Sequence, residues 1–386
     1  MRTFHLILLG AAAAAPASAQ SVQFSAVAQS EMGYATNPFV TPGRTDGSIF
    51  ASASIAPRFV YQTARSSTTV QSRYSRETYL KNFGYTDSGM IGLIRTDQLT
   101  QYLGSVLTAN FQTSNRETIG DPNQITTDPL NIGRRTRTLT GSYQLQWQAS
   151  ARDQLNYGTQ VSHLSYGGGQ ASGPGGVPSA YTQYGVNAGY NHTVDARTTI
   201  GAQVTLSTVR SKIYPDSRTI QPALTGKRQL SAVWAVDGHI GMSFSRIEGP
   251  FPETKASLGV GFNLCGTYPR TNICLRLNRD TQPSGFGPLR TTTSIGGDLT
   301  HQLDEHSRIR LSGQFFRNSS GSFSTIGVPV ARDSKVILTS TDYDRDVTQR
   351  VSAGIGGRFQ WRELTGYSTA RSYTATFHVK AKLGRM

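Results

Sequence analysis

The sequence predicts an all-β protein: a transmembrane, antiparallel, up-and-down β-barrel. The clearest evidence is residues 291–316, where apolar and polar residues alternate on both sides of a polar break at Asp304. Such alternation around a short break is typical of a β-hairpin. It places Ile295 and Leu311 on one face and Asp298 and Arg310 on the other.

The polar break of this hairpin recurs along the chain, and its recurrence favours a barrel over a soluble sandwich. A sandwich could bury the apolar face of one such hairpin, so a single copy does not decide between the two. Similar short turns open other alternating strands, and longer polar connections lie between them. Short turns at one end and long loops at the other are typical of outer-membrane barrels. The predicted periplasmic turns are at Asp97, Asp153, Asp195, Asp304 and Asp346.

The N-terminus has the composition of a secretory signal. Arg2 precedes an apolar run at 4–15, and the small residues of a cleavage site follow at 17–19. We therefore assign 1–19 to a signal peptide and 20–386 to the barrel. A transmembrane helix needs about 20 consecutive apolar residues, and no run after the signal approaches that length. Export without such a run favours a barrel.

The alternating segments number about 18, an even count that returns both chain ends to the periplasm. Sixteen is the alternative count, because the segment 88–94 is short and the two segments that meet at Asp237 could form one strand. The predicted strands are 22–34, 49–61, 68–79, 88–94, 99–115, 137–149, 155–166, 181–194, 199–214, 228–236, 239–247, 255–264, 273–279, 291–303, 308–317, 335–343, 350–363 and 372–383.

The longer connections are predicted to form the extracellular loops. The glycine-rich loop 167–176 is not a phosphate-binding loop, because no Lys-Ser or Lys-Thr pair ends it and no helix follows. The predicted loops are 36–46, 117–133, 167–176, 215–226, 281–289 and 319–333.

The chain has two cysteines, Cys265 and Cys274, at facing ends of one predicted hairpin. In an exported protein such an even pair predicts a disulfide. A metal site is disfavoured, because no Cys-x-x-Cys spacing and no paired histidines accompany the cysteines.

The chain carries a formal net charge of +15. A surplus of this size indicates an anionic partner. Nucleic acid is disfavoured, because the chain is an exported β protein without aromatic and basic binding motifs. The expected partners are outer-membrane lipid, including the phosphates of lipopolysaccharide, and an anionic solute or polysaccharide.

Basic residues dominate one face of the strands near the C-terminal end. Alternation places them inward, where few acids, chiefly Glu31 and Asp298, are expected to offset them. Two interpretations stay open. Charged side chains must avoid lipid in any case, since Lys or Arg at mid-bilayer costs about 2 to 4 kcal/mol; alternatively, the lumen has an anion-attracting wall. The predicted lumen basic wall comprises Arg58, Arg73, Arg276, Arg308, Arg310, Arg350, Arg358, Arg362, Lys380 and Lys382.

Aromatic residues fall mainly on the outward face, as expected for girdles at the membrane interfaces. On the lumen side the alternation offers only Phe316 and Tyr102, too few for a carbohydrate-stacking ladder. The outward set is Tyr143, Trp147, Tyr184, Tyr190, Phe315, Phe359, Trp361 and Phe377.

An enzymatic function is not predicted. An outer-membrane enzyme would need a Ser or His nucleophile system or paired carboxylates. None of the histidines after the signal lies in a recognisable catalytic motif. No cofactor and no metal are expected.

Two short motifs resemble the outer-membrane beta-barrel porin 2 family. They are Gly-Tyr-Ala-Thr-Asn-Pro-Phe at 33–39, directly after the first strand, and Arg-Asp-Thr-Gln-Pro-Ser-Gly-Phe-Gly at 279–287, beyond a later strand. The likeness extends over nearly the whole mature chain as architecture. It implies a role in exopolysaccharide or capsule secretion in the outer membrane of a Gram-negative bacterium, with periplasmic secretion proteins as further partners.

The sequence supports two functions of different classes. One is a porin-like conduit for anionic solutes or exopolysaccharide, because a barrel of about 16 to 18 strands usually encloses an aqueous channel. No separate plug domain is visible before residue 22. The alternative is a structural or docking barrel of an envelope polysaccharide-secretion complex, without open transport.

The predicted orientation can be tested by labelling intact cells with a membrane-impermeant thiol reagent. Ser172→Cys should react, because loop 167–176 is predicted to face the outside, and Glu305→Cys should not, because its turn is predicted to face the periplasm. Permeabilised cells provide the control, since both positions should then react. Label at position 305 but not at 172 in intact cells would invert the orientation.

Overall fold

Antiparallel β-strands make up all the regular secondary structure in the described part of the chain. They form one sheet of 18 strands in which each strand pairs with its sequence neighbours, and β18 pairs with β1 to close a barrel. The predicted fold class is therefore confirmed, and the count of 18 is correct rather than 16. The computed structural model describes residues 20–81, 83–115, 135–167, 180–212, 215–248, 252–284, 287–320, 333–365 and 368–384.

Each strand is 12 to 16 residues long. About 9 to 11 residues suffice to cross the hydrocarbon core of a bilayer at a tilt of about 45°. Every strand is therefore long enough to span and to extend beyond the core. The strands are β1 (Ser21–Thr36), β2 (Gly47–Gln62), β3 (Ser66–Tyr79), β4 (Tyr85–Gln98), β5 (Leu103–Ser114), β6 (Thr136–Gln148), β7 (Asp153–Tyr166), β8 (Tyr181–Asp195), β9 (Thr198–Ser211), β10 (Ser217–Gln229), β11 (Trp234–Ile247), β12 (Glu253–Thr267), β13 (Thr271–Ser284), β14 (Gly287–Gln302), β15 (Ser307–Ser320), β16 (Ser334–Asp346), β17 (Val351–Leu364) and β18 (Ala370–Gly384).

The two ends of the chain meet in the wall of the barrel. β1 pairs with β2 along its full length and, on its other edge, with β18 from Ser25 opposite Gly384 to Ala35 opposite Thr374. No sheet edge is left open at this seam. Closure satisfies the backbone N–H and C=O groups that lipid cannot hydrogen-bond.

The period-two alternation of the sequence separates an apolar outer face from a polar inner face. Outward side chains such as Met32 and Ile355 are 61% and 59% exposed. Exposed apolar residues in this number are stable in a bilayer rather than in water. Residues that face each other in the register share a face of the sheet, so the pairing fixes which side chains line the lumen.

Short turns join the strands at one end of the barrel, close to the predicted aspartates. In the turn between β14 and β15, the His306 N–H donates to Asp304 Oδ1 at 2.7 Å. This hydrogen bond holds the pKa of Asp304 below its usual range. The Arg197 N–H donates in the same way to Asp195 Oδ1 at 2.7 Å. Aspartate is favoured in such turns because its side chain bonds to the backbone two residues on.

No helix among the described residues is long and apolar enough to span a membrane. The predicted signal peptide lies outside the described residues and stays a prediction. The glycine-rich loop 167–176 and the loop 117–133 also lie almost entirely outside them.

The predictions around β10 are wrong. The stretch 215–226 was expected to be a loop, but most of it forms β10, and the predicted strand 228–236 instead contains the turn between β10 and β11. Proline is uncommon inside strands because it has no N–H to donate. Pro222 nevertheless lies within β10, opposite Val204 of β9. The pairing with β11 has a gap there, between Ile220 and Ala223, but the register is the same on both sides of the gap.

The predicted loop 281–289 is also largely strand. β13 continues to Ser284 and β14 begins at Gly287, with a register irregularity between Gln282 and Ser284. Part of the motif 279–287 is therefore barrel wall. The glycine and proline residues of this stretch obscured the strands in the sequence.

The disulfide between Cys265 and Cys274 is formed. The two cysteines are register partners on β12 and β13, next to the short turn that joins these strands. The disulfide therefore links two strands that the backbone ladder already holds together.

A non-reduced proteolytic digest of protein taken from the envelope should contain a peptide pair linked through Cys265 and Cys274, because the two residues face each other across the hairpin. Mass spectrometry before and after reduction checks this. Two thiols that both react with an alkylating reagent before reduction would contradict the pairing.

Candidate functional site

One third of the inner face lacks charged side chains. Along β4–β9, six of the 18 strands, the inward positions between the strand ends hold amide, hydroxyl and small or apolar residues in the described structure. Ionisable residues occur on the rest of the inner face, on β1–β3 and β10–β18. The amide side chains of this uncharged third include those of Asn110, Gln112, Gln144, Gln146, Asn156, Gln160, Gln183, Asn187, Asn191 and Gln203.

The predicted lumen basic residues lie mainly where alternation placed them. The register puts Arg58, Arg73, Arg276, Arg308, Arg310, Arg358, Arg362, Lys380 and Lys382 at inward positions. Arg350 lies in the turn before β17, which begins at Val351 and not at 350, so its place in the basic wall stays a prediction. The carbonyl of Arg350 accepts a hydrogen bond from the Lys382 N–H at 2.7 Å.

Asp344 is the centre of the largest ionic cluster described on the inner face. Its side chain is 1% exposed and lies between strands that carry basic residues. Asp344 Oδ1 is 2.8 Å from His378 Nε2 and 2.7 Å from Lys380 Nζ, while its other oxygen pairs with Arg310. The Arg308 guanidinium is 3.6 Å from that oxygen. Three cations and a histidine therefore converge on one carboxylate.

A glycine lets Asp344 reach across a whole strand. Asp344 is on β16 and His378 on β18, and both are register partners of Gly354 on the strand between them. Neighbouring strands lie about 4.8 Å apart, so the side chains must bridge about twice that distance. A Cβ at position 354 would lie 2.5 Å from His378 Nε2. Only a residue without a side chain leaves this path open.

Other acids also face the lumen, and the prediction of few inward acids is wrong. Asp298 pairs with Arg276 on the adjacent strand. Glu31 interacts electrostatically with Arg358, Glu77, His378 and Asp342. Asp344 was missed because the predicted strand 335–343 ended one residue before it. The inward acids on the described strands include Glu31, Glu77, Asp237, Glu253, Asp280, Asp298, Asp342, Asp344 and Asp346.

The inner face also holds aromatic residues that the alternation did not reveal. Phe316 is inward as predicted, whereas Tyr102 lies in a turn. Phe50 and Tyr79 are inward, buried, and packed with Ala35 at the long-loop end of the barrel. A second buried cluster there comprises Leu164, Tyr181 and Val209, with Tyr166 against it. The predicted outward aromatic residues do occupy outward register positions.

The loop after β1 folds onto the inner side of the wall. Asn37 has a φ of +46°, and its side chain accepts from the Thr41 N–H at 2.9 Å and donates to the Thr41 carbonyl at 3.0 Å. Asparagine tolerates this left-handed conformation better than most residues. The Phe39 ring lies 5.7 Å from that of Tyr79 and 5.6 Å from that of Phe83. The motif 33–39 therefore begins in β1 and ends in a packed inner loop.

No group of three or more His, Cys, Asp or Glu residues with the geometry of a metal site occurs in the described ranges. The inner face is thus a surface of ion pairs, amides and two apolar clusters.

Gly354→Val should destabilise the barrel by about 1 to 3 kcal/mol, the usual cost of overpacking, because a side chain there would collide with His378 and the Tyr343 carbonyl. Gly357→Val, on the same strand, is the matched control, since a Cβ there meets nothing within 4 Å. The two variants are unfolded with denaturant in detergent, and the fraction still folded is measured by the heat-dependent gel shift of the folded barrel. The denaturant midpoints give the difference in stability. Equal stability of the two variants would contradict the crossing contact.

The comparison with protein-family models found no match to the chain. The search of curated proteins also found no match. The resemblance to the porin 2 family therefore stays a prediction.

Solved structures similar to the barrel are outer-membrane proteins of low sequence identity. The chain is similar to OccK2 (OpdF) of Pseudomonas aeruginosa in complex with glucuronate, with 12% identity, 95% of this chain and 98% of that chain covered, and a TM-score of 0.48. It is also similar to the FrpB iron transporter of Neisseria meningitidis (F5-1 variant), with 9% identity, coverage of 93% and 82%, and a TM-score of 0.48. Its similarity to the siderophore receptor PirA of Pseudomonas aeruginosa has 8% identity, coverage of 95% and 81%, and a TM-score of 0.45. Because these TM-scores are below 0.5, the function is inferred from the barrel's own residues.

Proposed function

We propose that the chain is an outer-membrane, porin-like conduit for anionic solutes, acidic polysaccharide segments included. The observation that carries the proposal is the closed barrel of 18 strands with basic residues gathered on one side of its inner face. Barrels of about this strand number usually enclose an aqueous channel. The apolar outer face and the predicted signal peptide support placement in the outer membrane of a Gram-negative bacterium.

The preference for anions is expected to come from basic residues outside the ion pairs. Arg276 and Arg310 are each bound to a carboxylate, so their charges are largely compensated. Arg58, Arg73 and Lys382 make no ion pair with any residue that the structure describes. Low-dielectric walls strengthen the potential of such uncompensated charges in a narrow space.

Export of exopolysaccharide is the finer form of this proposal. It is supported by the family resemblance at residues 33–39 and 279–287 and by the polar, amide-rich third of the lumen on β4–β9. Amide and hydroxyl side chains can exchange hydrogen bonds with sugar hydroxyls, and the basic side chains on the other strands can donate hydrogen bonds to carboxylates. Periplasmic secretion proteins would then be partners at the short-turn end.

Selectivity in planar bilayers tests the proposal. The purified barrel should conduct ions and favour anions, and Arg58→Gln with Arg73→Gln and Lys382→Gln should shift the zero-current potential towards cation preference. The matched control carries Arg317→Gln, Arg345→Gln and Arg371→Gln, which remove three charges from outward positions. Charge is screened over about 8 to 10 Å at physiological salt, so the shift should be large in dilute salt and small in concentrated salt.

Asp344→Asn is the opposite arm of the same experiment. It releases Arg308, Arg310 and Lys380 from their shared carboxylate and should increase anion preference. Two results would overturn the anion proposal. One is a wild-type barrel that favours cations. The other is a zero-current potential that is the same in the lumen variants as in the outward control variant.

A docking barrel without open transport is the second candidate. It is favoured by the inner loop at Asn37 and by the buried aromatic cluster beside it, both at the long-loop end. Folded wild-type protein that inserts into bilayers without any conductance would support this candidate instead.

A further inference from the structure

A groove on the outer face of the barrel runs across β5–β10 and ends at an arginine. Its volume is about 830 Å³, and most of its lining is apolar. The side chains that form it point away from the lumen, because they occupy the outward positions of their strands. The largest of them are Leu107, Tyr143, Tyr184, Leu206 and Ile220.

The groove exists because two neighbouring outward positions are small. Ala109 of β5 faces Gly141 of β6, and Gly141 faces Val161 of β7. The adjacent outward row is larger, with Leu107 opposite Tyr143. Small residues in one row beside large ones in the next leave a depression in the lipid-facing surface, which a flexible hydrocarbon chain can fill.

Arginines gather at the long-loop end of this groove. Arg218 of β10 lines the groove and is the direct register partner of Arg246 of β11. Arg210 of β9 lies one outward position further along, since Thr208 is the partner of Arg218. All three side chains are exposed and outward.

Placing like charges directly opposite each other on a sheet is unfavourable. In this cluster one carboxylate, that of Glu248, partly compensates the positive charges, since its Oε1 is 2.9 Å from Arg218 Nε. Arg210 and Arg246 form no ion pair within the described ranges. The cluster therefore keeps an excess of positive charge on a surface that otherwise faces lipid.

We propose that this surface binds one molecule of a phosphorylated glycolipid of the outer leaflet, the lipid A of lipopolysaccharide, with a phosphate on Arg210, Arg218 and Arg246 and an acyl chain in the groove. The inference rests on the proposed outer-membrane placement, with the long-loop end outward. Guanidinium groups bind phosphate oxygens through paired, charge-assisted hydrogen bonds. Long arginine side chains also reach from an apolar surface to the headgroup level.

The outer surface around Arg218 is polar on the side towards the long loops and apolar on the opposite side. The outward row beyond Arg218 towards the loops contains His163 and Thr182, whose side chains are hydrogen-bonded at 2.8 Å, and Thr182 faces Arg210. On the other side of Arg218, Ile220 faces Leu206 and Phe244. An amphiphile whose charged end lies towards the loops matches this order, whereas a free phosphate ion would contact only the arginines.

Native mass spectrometry of the detergent-purified, full-length barrel with added lipid A tests the proposal. Wild-type protein should bind one lipid A, and Arg218→Gln with Arg246→Gln should weaken binding at least about tenfold, since loss of one charge-assisted contact corresponds to about that factor. Gly141→Leu should also weaken binding, because it fills the groove without changing the charge. Arg279→Gln with Arg371→Gln is the matched control on outward positions elsewhere and should bind as wild type.

Two further ligands, dephosphorylated lipid A and inorganic phosphate, show whether the site recognises the phosphate group, the acyl chains or both. Dephosphorylated lipid A should bind more weakly than lipid A, and millimolar inorganic phosphate should not displace lipid A. Equal binding by wild type and the Arg218/Arg246 variant, or by wild type and Gly141→Leu, would overturn the proposed site. The heat-dependent gel shift confirms folding of each variant. This experiment measures lipid binding and not conductance. A failed lipid A site can therefore be distinguished from a failed conduit proposal.

Discussion

The backbone hydrogen bonds of the wall are the constraint on which the rest of the structure depends. Lipid offers no partner for N–H or C=O groups, so each strand must be paired on both edges. The seam between β1 and β18 meets this demand by joining the first and last strands of the chain. Closure fixes the register around the barrel, and the register decides which residues meet in the lumen and on the lipid face.

Much of this fold could be predicted from the sequence because the relevant signals are local. Period-two alternation and short aspartate turns identified most strands and their number. β10 was missed because Pro222 and Gly226, two residue types that are depleted in strands, interrupt the usual strand composition, although its outward residues Ile220 and Leu224 alternate normally. The local composition therefore predicted a loop at a position where pairing with the neighbouring strands imposes a strand.

The functional surface was less predictable, because it depends on contacts between strands. The inward direction of Arg308, Arg310 and Lys380 follows from alternation within each strand. Their convergence on Asp344 does not, because it requires the register of β15–β18 and the missing side chain of Gly354. The basic wall is thus a network of ion pairs with a few uncompensated charges, rather than a row of free cations.

The unequal division of charge around the lumen has a consequence for the path of a solute. Ionised groups lie on β1–β3 and β10–β18, whereas β4–β9 present amides and hydroxyls between the strand ends of the described chain. Such a cross-section has an electric field perpendicular to the barrel axis. In the proposed conduit, an elongated solute with acidic groups along one edge would travel with that edge against the uncompensated basic side chains and would lose its freedom to rotate about its own long axis.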